Sequence, residues 1–201
     1  MNEQDRSHYT IENASTLCAQ YESITFDEVH GHWLCHLPRI PSTVADIGAG
    51  SGRDAAALAK RGFEVYAVEP SPAMLSLAEK LHTDNRIVWI RDALPKLMSL
   101  SRRQLRFDLL LLSAVWMHLS REQRTEAMAN LSQLANPGCV AVITLRHPAD
   151  PARDMFDVSP EETTSLAASA GFDCLSSEIH PDALHRSDVN WSFVILKKQI
   201  Y

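Results

Sequence analysis

The sequence predicts an α/β fold on a mostly parallel sheet, and three observations carry the prediction. From Thr43 onward, short apolar runs of β type alternate with helical runs. One run, Leu109-Leu110-Leu111-Leu112, is apolar at consecutive positions, as a strand buried on both faces requires. Between the first apolar run and the first helix of that series stands Asp46-Ile-Gly48-Ala49-Gly50-Ser-Gly52, a turn with three glycines. Glycine takes positive φ at little cost and lets a ligand approach the backbone. Open α/β sheets bind ligands at such a turn, at the carboxyl end of a first strand.

The elements follow in order. Residues 8–38 read as helical, with aromatic residues and histidines interspersed, so segment 1–40 is expected to be a helical cap on a core of residues 41–201 within one domain. The strands are expected at Thr43–Asp46, Glu64–Val68, Arg86–Ile90, Phe107–Ser113 and Cys139–Leu145. A helix runs from Arg53 to Arg61 and stops at Gly62, where a C-cap glycine belongs. Ser71-Pro72 places a capping hydroxyl before a proline at the first helical position. Ser120-Arg-Glu-Gln123 and Ser159-Pro-Glu-Glu162 both have the spacing of capping boxes. The helix Ser120–Ala135, with Met128, Leu131 and Leu134 on one face, is separated from the fifth strand by Pro137-Gly138. After Gly171 the pattern changes. Phe172–His180 and Val189–Lys198 read as two strands joined by Pro181–Asp188, with no intervening helix, so they should be antiparallel.

Composition narrows the function. At 201 residues, 45% hydrophobic and 22% charged, the chain reads as one globular domain. A net charge of −6 is a poor footprint for nucleic acid as partner. The densest basic stretch, Arg102-Arg-Gln-Leu-Arg106, reads as a solvated connector. The four cysteines, Cys18, Cys35, Cys139 and Cys174, are too far apart in sequence for a zinc or redox pair, and Cys139 and Cys174 are expected to be core thiols. No apolar run is long enough for a membrane span, and Met1 to His8 lacks signal-peptide character, so a cytoplasmic protein with no membrane partner is expected. Nothing in the sequence sets the oligomeric state.

The spacing of the glycine turn selects among cofactors. A dinucleotide turn follows G-x-G-x-x-G. Here Arg53 stands three residues after Gly50, and the pattern is G-x-G-x-G preceded by Asp46. A carboxylate at Asp46 is a poor neighbour for a pyrophosphate and suits a cationic ligand such as the ammonium and sulfonium of S-adenosylmethionine. Glu69, at the end of the second strand and 21 residues after Gly48, is placed to accept both ribose hydroxyls of an adenosine.

The block Thr43–Gly52 resembles motif I of the class I S-adenosylmethionine-dependent methyltransferases, and the resemblance extends over residues 43–198. It implies a seven-stranded sheet in the order 3-2-1-4-5-7-6, strand 7 antiparallel, with helices on both faces. It implies S-adenosyl-L-methionine as cofactor and S-adenosyl-L-homocysteine as product, bound by Asp46, Gly48, Ala49, Gly50, Gly52, Arg53, Glu69 and Pro70. It adds Asp92 on the exocyclic amine of adenine, with the Ala93 backbone beside the ring and Met74 and Leu94 as apolar contacts. Asp92 as a helix cap, and Met74 as ordinary helix packing, are the structural alternatives. Ser113 and the Ala114 backbone are expected at the methionine end, with Trp116 and His118 towards the acceptor. The Ser113-Ala-Val-Trp116 loop lacks the Asn/Asp-Pro-Pro-aromatic motif of adenine methylases. The fourth-strand loop and Leu184-His185-Arg186-Ser-Asp188 are also similar to tellurite-resistance methyltransferases.

Methyl transfer from a sulfonium is an in-line displacement that rests mainly on positioning. A base is needed only where the acceptor carries a proton. Among nine histidines, His118, His147 and His185 stand at predicted carboxyl ends of strands or in the closing hairpin and are candidate bases, with a polar rim role as the alternative. Arg186 and Arg146 are candidates for holding an anionic acceptor. His8, His30, His32 and His36 are candidates for the lid. No metal site is assigned. The expected function is methylation of a small-molecule acceptor. The competing readings are a catalytically inactive cofactor-binding regulator, a methyltransferase acting on protein or RNA, and a nicotinamide oxidoreductase, which Arg53 disfavours.

Overall fold

The computed structural model describes residues 11–200, so His8 lies outside the described residues. Two helices, α1 (Ile11–Glu22) and α2 (Phe26–His30), precede the sheet, followed by a 3-10 turn over Gly31–His36. The core then runs β1 (Thr43–Ile47), α3 (Arg53–Lys60), β2 (Glu64–Val68), α4 (Pro72–Leu81), β3 (Ile87–Ile90), α5 (Met98–Ser101) and β4 (Phe107–Leu112). It closes with α6 (Arg121–Leu134), β5 (Ala135–His147), α7 (Pro160–Ser169), β6 (Phe172–Pro181) and β7 (Asn190–Lys198). The seven strands lie in the order β3-β2-β1-β4-β5-β7-β6. The first five are parallel, and β7 runs antiparallel to both β5 and β6. This is the sheet that the resemblance implies.

Burial follows from topology. Leu109 to Leu112 are all fully buried, because β4 is central and covered on both faces. One face packs Leu110, Leu112, Met128, Leu131, Leu134 and Phe172. The other packs Val44, Ala55, Leu58, Leu109 and Leu111, and takes in Phe26 and Trp33 from the N-terminal segment. That segment is thus bonded into the core on two sides. Ala14, Leu17 and Cys18 of α1 pack on Met74 of α4, and Thr25 closes a capping box with Glu28 at the start of α2.

Four sequence expectations are corrected here. α6 stops at Leu134, and β5 begins at Ala135. Asn136-Pro-Gly-Cys139 is not a break before the strand but a bulge within it, since Phe107 pairs with Ala135 and Leu109 next with Val140. Ser159 accepts from the Glu162 N–H, but the Glu162 carboxylate turns to the buried Arg124, 2.8 Å away, so the reciprocal half of that box is replaced by an ion pair. Cys174 is exposed, on the edge strand β6, whereas Cys139 is buried, and burial pushes its thiol up to about 12. Among the described residues no helix is long and apolar enough to cross a membrane.

Candidate functional site

The glycine turn after β1 is held almost wholly by its own neighbours. The N–H groups of Gly48 and Ala49 donate to Val68 O at 2.7 and 2.9 Å, and that of Gly52 to Ala49 O at 2.9 Å. The Gly50 N–H donates to Glu69 Oε2 at 2.9 Å, while the Ser71 N–H donates to Glu69 Oε1 at 2.8 Å. The turn and the acid that ends β2 are therefore one rigid unit. Gly48, at φ 80°, admits no side chain: a Cβ there would lie 2.2 Å from Val115 Cγ1.

A buried chain of polar groups fixes α3 to the N-terminal segment. Trp33 Nε1 donates to His30 Nδ1 at 2.9 Å. An indole only donates, so His30 accepts there and carries its proton on Nε2, 3.0 Å from Asp54 Oδ2. Arg53 Nε holds the other oxygen, Oδ1, at 2.7 Å. Burial opposes ionisation of Asp54, but His30 and Arg53 outweigh it and hold its carboxyl below the usual range. Asp46 behaves in the opposite way: burial first, and the nearby Asp54 carboxylate second, push its carboxyl well up.

A cavity of about 970 Å³ opens over the carboxyl ends of the strands. Gly48, Ala49, Gly50, Arg53, Glu69, Pro70, Asp92, Ala93, Leu94, Ser113 and Ala114 lie on its wall, together with His118, His185 and Arg186. Other sequence candidates are elsewhere. Asp46 is fully buried behind the turn and off the cavity wall, where the Ala55 backbone N–H acts on its carboxylate. Gly52 is the left-handed N-cap of α3, against Trp89. Met74 is buried beneath α1, as ordinary helix packing. His147 bonds Ser192 Oγ across to β7 at 2.8 Å, outside the wall. Arg146 donates to Pro148 O. Trp116 is a core residue. Of the lid candidates, His30 is locked into the buried chain, His32 reaches the wall, and His36 faces a smaller side pocket.

Several wall groups are already committed. Asp92 accepts from the N–H groups of Ala93 and Leu100, both at 2.9 Å, so it steadies the turn into α5 and ties up the Ala93 N–H. The Ala114 N–H donates to Thr144 Oγ1 at 2.7 Å, leaving Ala114 with its carbonyl. Arg186 makes a two-point pair with Asp182, both contacts at 2.8 Å, and Trp191 Nε1 donates to the same carboxylate at 2.7 Å. Hydrogen bonds from Arg186 and Trp191 hold Asp182 down despite its burial. Among the wall residues that sequence reasoning missed are Tyr21, Gln123, Arg153, Phe156 and Trp191. Gln123 was read only as part of the capping box of α6, the others belong to no motif, and only the fold brings them to one wall. Among the described residues no group of three His, Cys, Asp or Glu side chains is placed to hold a metal.

What the arrangement offers is two acids at one end and a mixed chamber at the other. Glu69 and Asp92, ending adjacent strands, present acceptors suited to the hydroxyls and amine of an adenosine. The rest of the wall carries His118, Arg153, His185 and Trp191, with Tyr21, Ile24 and Val29 of the N-terminal segment.

Residues 44–138 match the family model of a methyltransferase domain. No curated protein sequence matches the chain. Three solved structures illustrate its likeness. The 1,6-didemethyltoxoflavin-N1-methyltransferase of Burkholderia thailandensis, with bound 1,6-didemethyltoxoflavin and S-adenosylhomocysteine, is 20% identical, with 94% of this chain and 90% of that one covered and a TM-score of 0.66. A TehB-like S-adenosylmethionine-dependent methyltransferase from Corynebacterium glutamicum is 16% identical, with 95% and 100% covered and a TM-score of 0.66. A 4+2 cyclase is 14% identical, with 80% and 76% covered and a TM-score of 0.63, so this fold also carries other chemistry. The chain has the fold of the class I S-adenosylmethionine-dependent methyltransferases, and its residues 44–138 match the model of a methyltransferase domain.

Proposed function

We propose that the protein is an S-adenosylmethionine-dependent methyltransferase acting on a small-molecule acceptor. The observation that carries the reading is the cavity itself: one continuous lining joins an adenosine-type end made by Glu69 and Asp92 to residues of the N-terminal segment, among them Tyr21, Ile24 and Val29. Its volume is at the upper end of what a single ligand usually occupies, which leaves room for a second. A cavity whose wall takes in Tyr21, Ile24 and Val29 from the N-terminal segment favours an acceptor that fits inside over a polypeptide or RNA. A similarly folded methyltransferase is known with both a small molecule and S-adenosylhomocysteine bound, which supports the same division of the cavity here.

In this reading Glu69 accepts from the ribose, Asp92 from the adenine amine, and Pro70, Ala93 and Leu94 flank the base. Gly48, Ala49 and Gly50 form the floor, and Ser113 and the Ala114 carbonyl stand at the methionine end. S-adenosylmethionine supplies a methyl group already activated by the sulfonium. The chain's task is then to hold the acceptor in line and to keep water out, and such positioning supplies roughly 7–11 kcal/mol of a barrier. Where the acceptor atom bears a proton, His118 or His185 takes it. Arg186 acts through its pair with Asp182 as a wall element. Residues 11–40, the described part of the expected cap, serve as the cap of a single domain. The free thiols fit a reducing, cytoplasmic setting.

Calorimetry with S-adenosylmethionine and S-adenosylhomocysteine, followed by turnover across a panel of small acceptors, tests the proposal. Absence of binding at millimolar ligand sinks it. Binding without turnover on any acceptor would instead favour a regulatory binding protein. Fluorescence titration with NADH should show no binding.

A further inference from the structure

A methionine carboxylate bound at this site must find a cation or free N–H groups, and the glycine turn offers few. The N–H groups of Gly48, Ala49, Gly50 and Gly52 are all donated within the protein, as is that of Ala114 at the end of β4. Among the arginines on the wall, Arg53 is held by Asp54 and by the Tyr21 carbonyl, and Arg186 by Asp182. Arg91 stands after β3, on the adenine side.

Arg153 differs from these. It closes the 3-10 turn Pro151–Arg153 after β5, beside the strand end where Ser113 lies. Its Nη2 donates to the Tyr21 hydroxyl at 3.2 Å, its Nε is buried without a hydrogen-bond partner, and among the described residues no carboxylate lies within ion-pair distance. The Tyr21 ring in turn lies over the turn, 3.6 Å from where a Cβ on Gly50 would stand. An arginine fork with an unused N–H, braced over the floor of a ligand cavity, is a receptor for an oxyanion. The turn that carries it is pinned by Asp150, whose carboxylate accepts from the Ala152 N–H, and by the Phe156 N–H on Met117 O.

We propose that Arg153, braced by the Tyr21 hydroxyl, binds the α-carboxylate of the S-adenosylmethionine methionine moiety. The inference rests on the cofactor reading above. It assigns a contact to a residue outside every sequence motif, and it explains why α1 reaches across to the segment after β5.

The test compares two probes that differ in the carboxylate. S-adenosylhomocysteine carries the amino acid, and 5′-methylthioadenosine lacks it. Calorimetry on the full chain should show Arg153→Met weakening S-adenosylhomocysteine by roughly 10- to 100-fold, as expected for one lost charge-assisted contact. Binding of 5′-methylthioadenosine should change less than about twofold. Tyr21→Phe, which keeps the ring over Gly50, should show the same selectivity with a smaller loss, and thermal unfolding checks that both variants fold. Equal losses for both probes, or no loss for either, would overturn the assignment while leaving the cofactor reading intact. A wild-type chain that binds neither probe would overturn both.

Discussion

Asp54 is the point at which the cap, the glycine turn and the first core helix meet, so its replacement is informative. In Asp54→Asn one oxygen becomes an amide NH₂. That NH₂ must face either the His30 Nε2 proton, now 3.0 Å from Oδ2, or the Arg53 Nε proton, 2.7 Å from Oδ1. One contact becomes donor against donor, and a guanidinium whose side chain is only 16% exposed loses its counter-charge. Removing one partner of a buried ion pair costs about 3–5 kcal/mol. Removing the like charge beside Asp46 offsets roughly 1 kcal/mol of that. The expected loss is therefore about 2–4 kcal/mol, read as a lower urea midpoint at unchanged slope. The pH dependence has a defined sign. Asp54 is held below its unfolded range, so its contribution is present above the unfolded pKa near 4 and is lost as pH falls further. The gap between wild type and variant should begin to close near pH 4 and go on shrinking as pH falls through the lowered folded-state pKa. A loss under about 1 kcal/mol at pH 7, or a gap that persists in acid, would refute the buried-pair account.

Glu69→Gln should weaken S-adenosylhomocysteine by roughly 10- to 100-fold, because its amide NH₂ must face the N–H of Gly50 or of Ser71; calorimetry within about threefold of wild type would contradict this. Gly48→Ala combines positive φ with a Cβ 2.2 Å from Val115 Cγ1, and should destabilise by about 2–4 kcal/mol, so a melting point within about 2 °C of wild type would count against it. His32 is pushed down to about 4, by burial and then by the stacked His180 ring 3.8 Å away. Its neutral form favours the fold above pH 6.5, and that contribution is lost as pH falls towards 4. His32→Phe should abolish this loss, roughly 1 kcal/mol after solvent screening, in unfolding curves taken across that window.

The legible part of the chain was whatever local chemistry dictates. Leu109–Leu112 announced a strand covered on both faces, Ser71-Pro72 and Ser120 announced helix starts, and Glu69 declared itself by its distance from the glycine turn. The resemblance of Thr43–Gly52 carried the sheet order, which periodicity alone does not contain. Ser159 was read correctly as a cap, but the partner of Glu162 was not, because Arg124 lies 38 residues away in sequence and comes close only when α6 and α7 pack.

The site divides in the same way. Asp46 lies in the glycine-turn block and Asp54 two residues past its end, and their sequence positions do not reveal their charge states. Tertiary burial drives one carboxyl up, while a histidine from α2 and the adjacent Arg53 hold the other down. Met74 and His147 carry suitable side chains, but the packing of α1 on α4 and the bond from β5 to β7 take them out of the cavity. Tyr21 and Arg153 are separated by 132 positions and meet over the glycine turn. The sequence by itself determined most of the strands and helices, the turn and the acids that end β2 and β3, because each depends on spacing along one strand or helix. Only the tertiary structure decided which polar groups remain uncommitted on the cavity wall, because that depends on which distant donor each acceptor meets first.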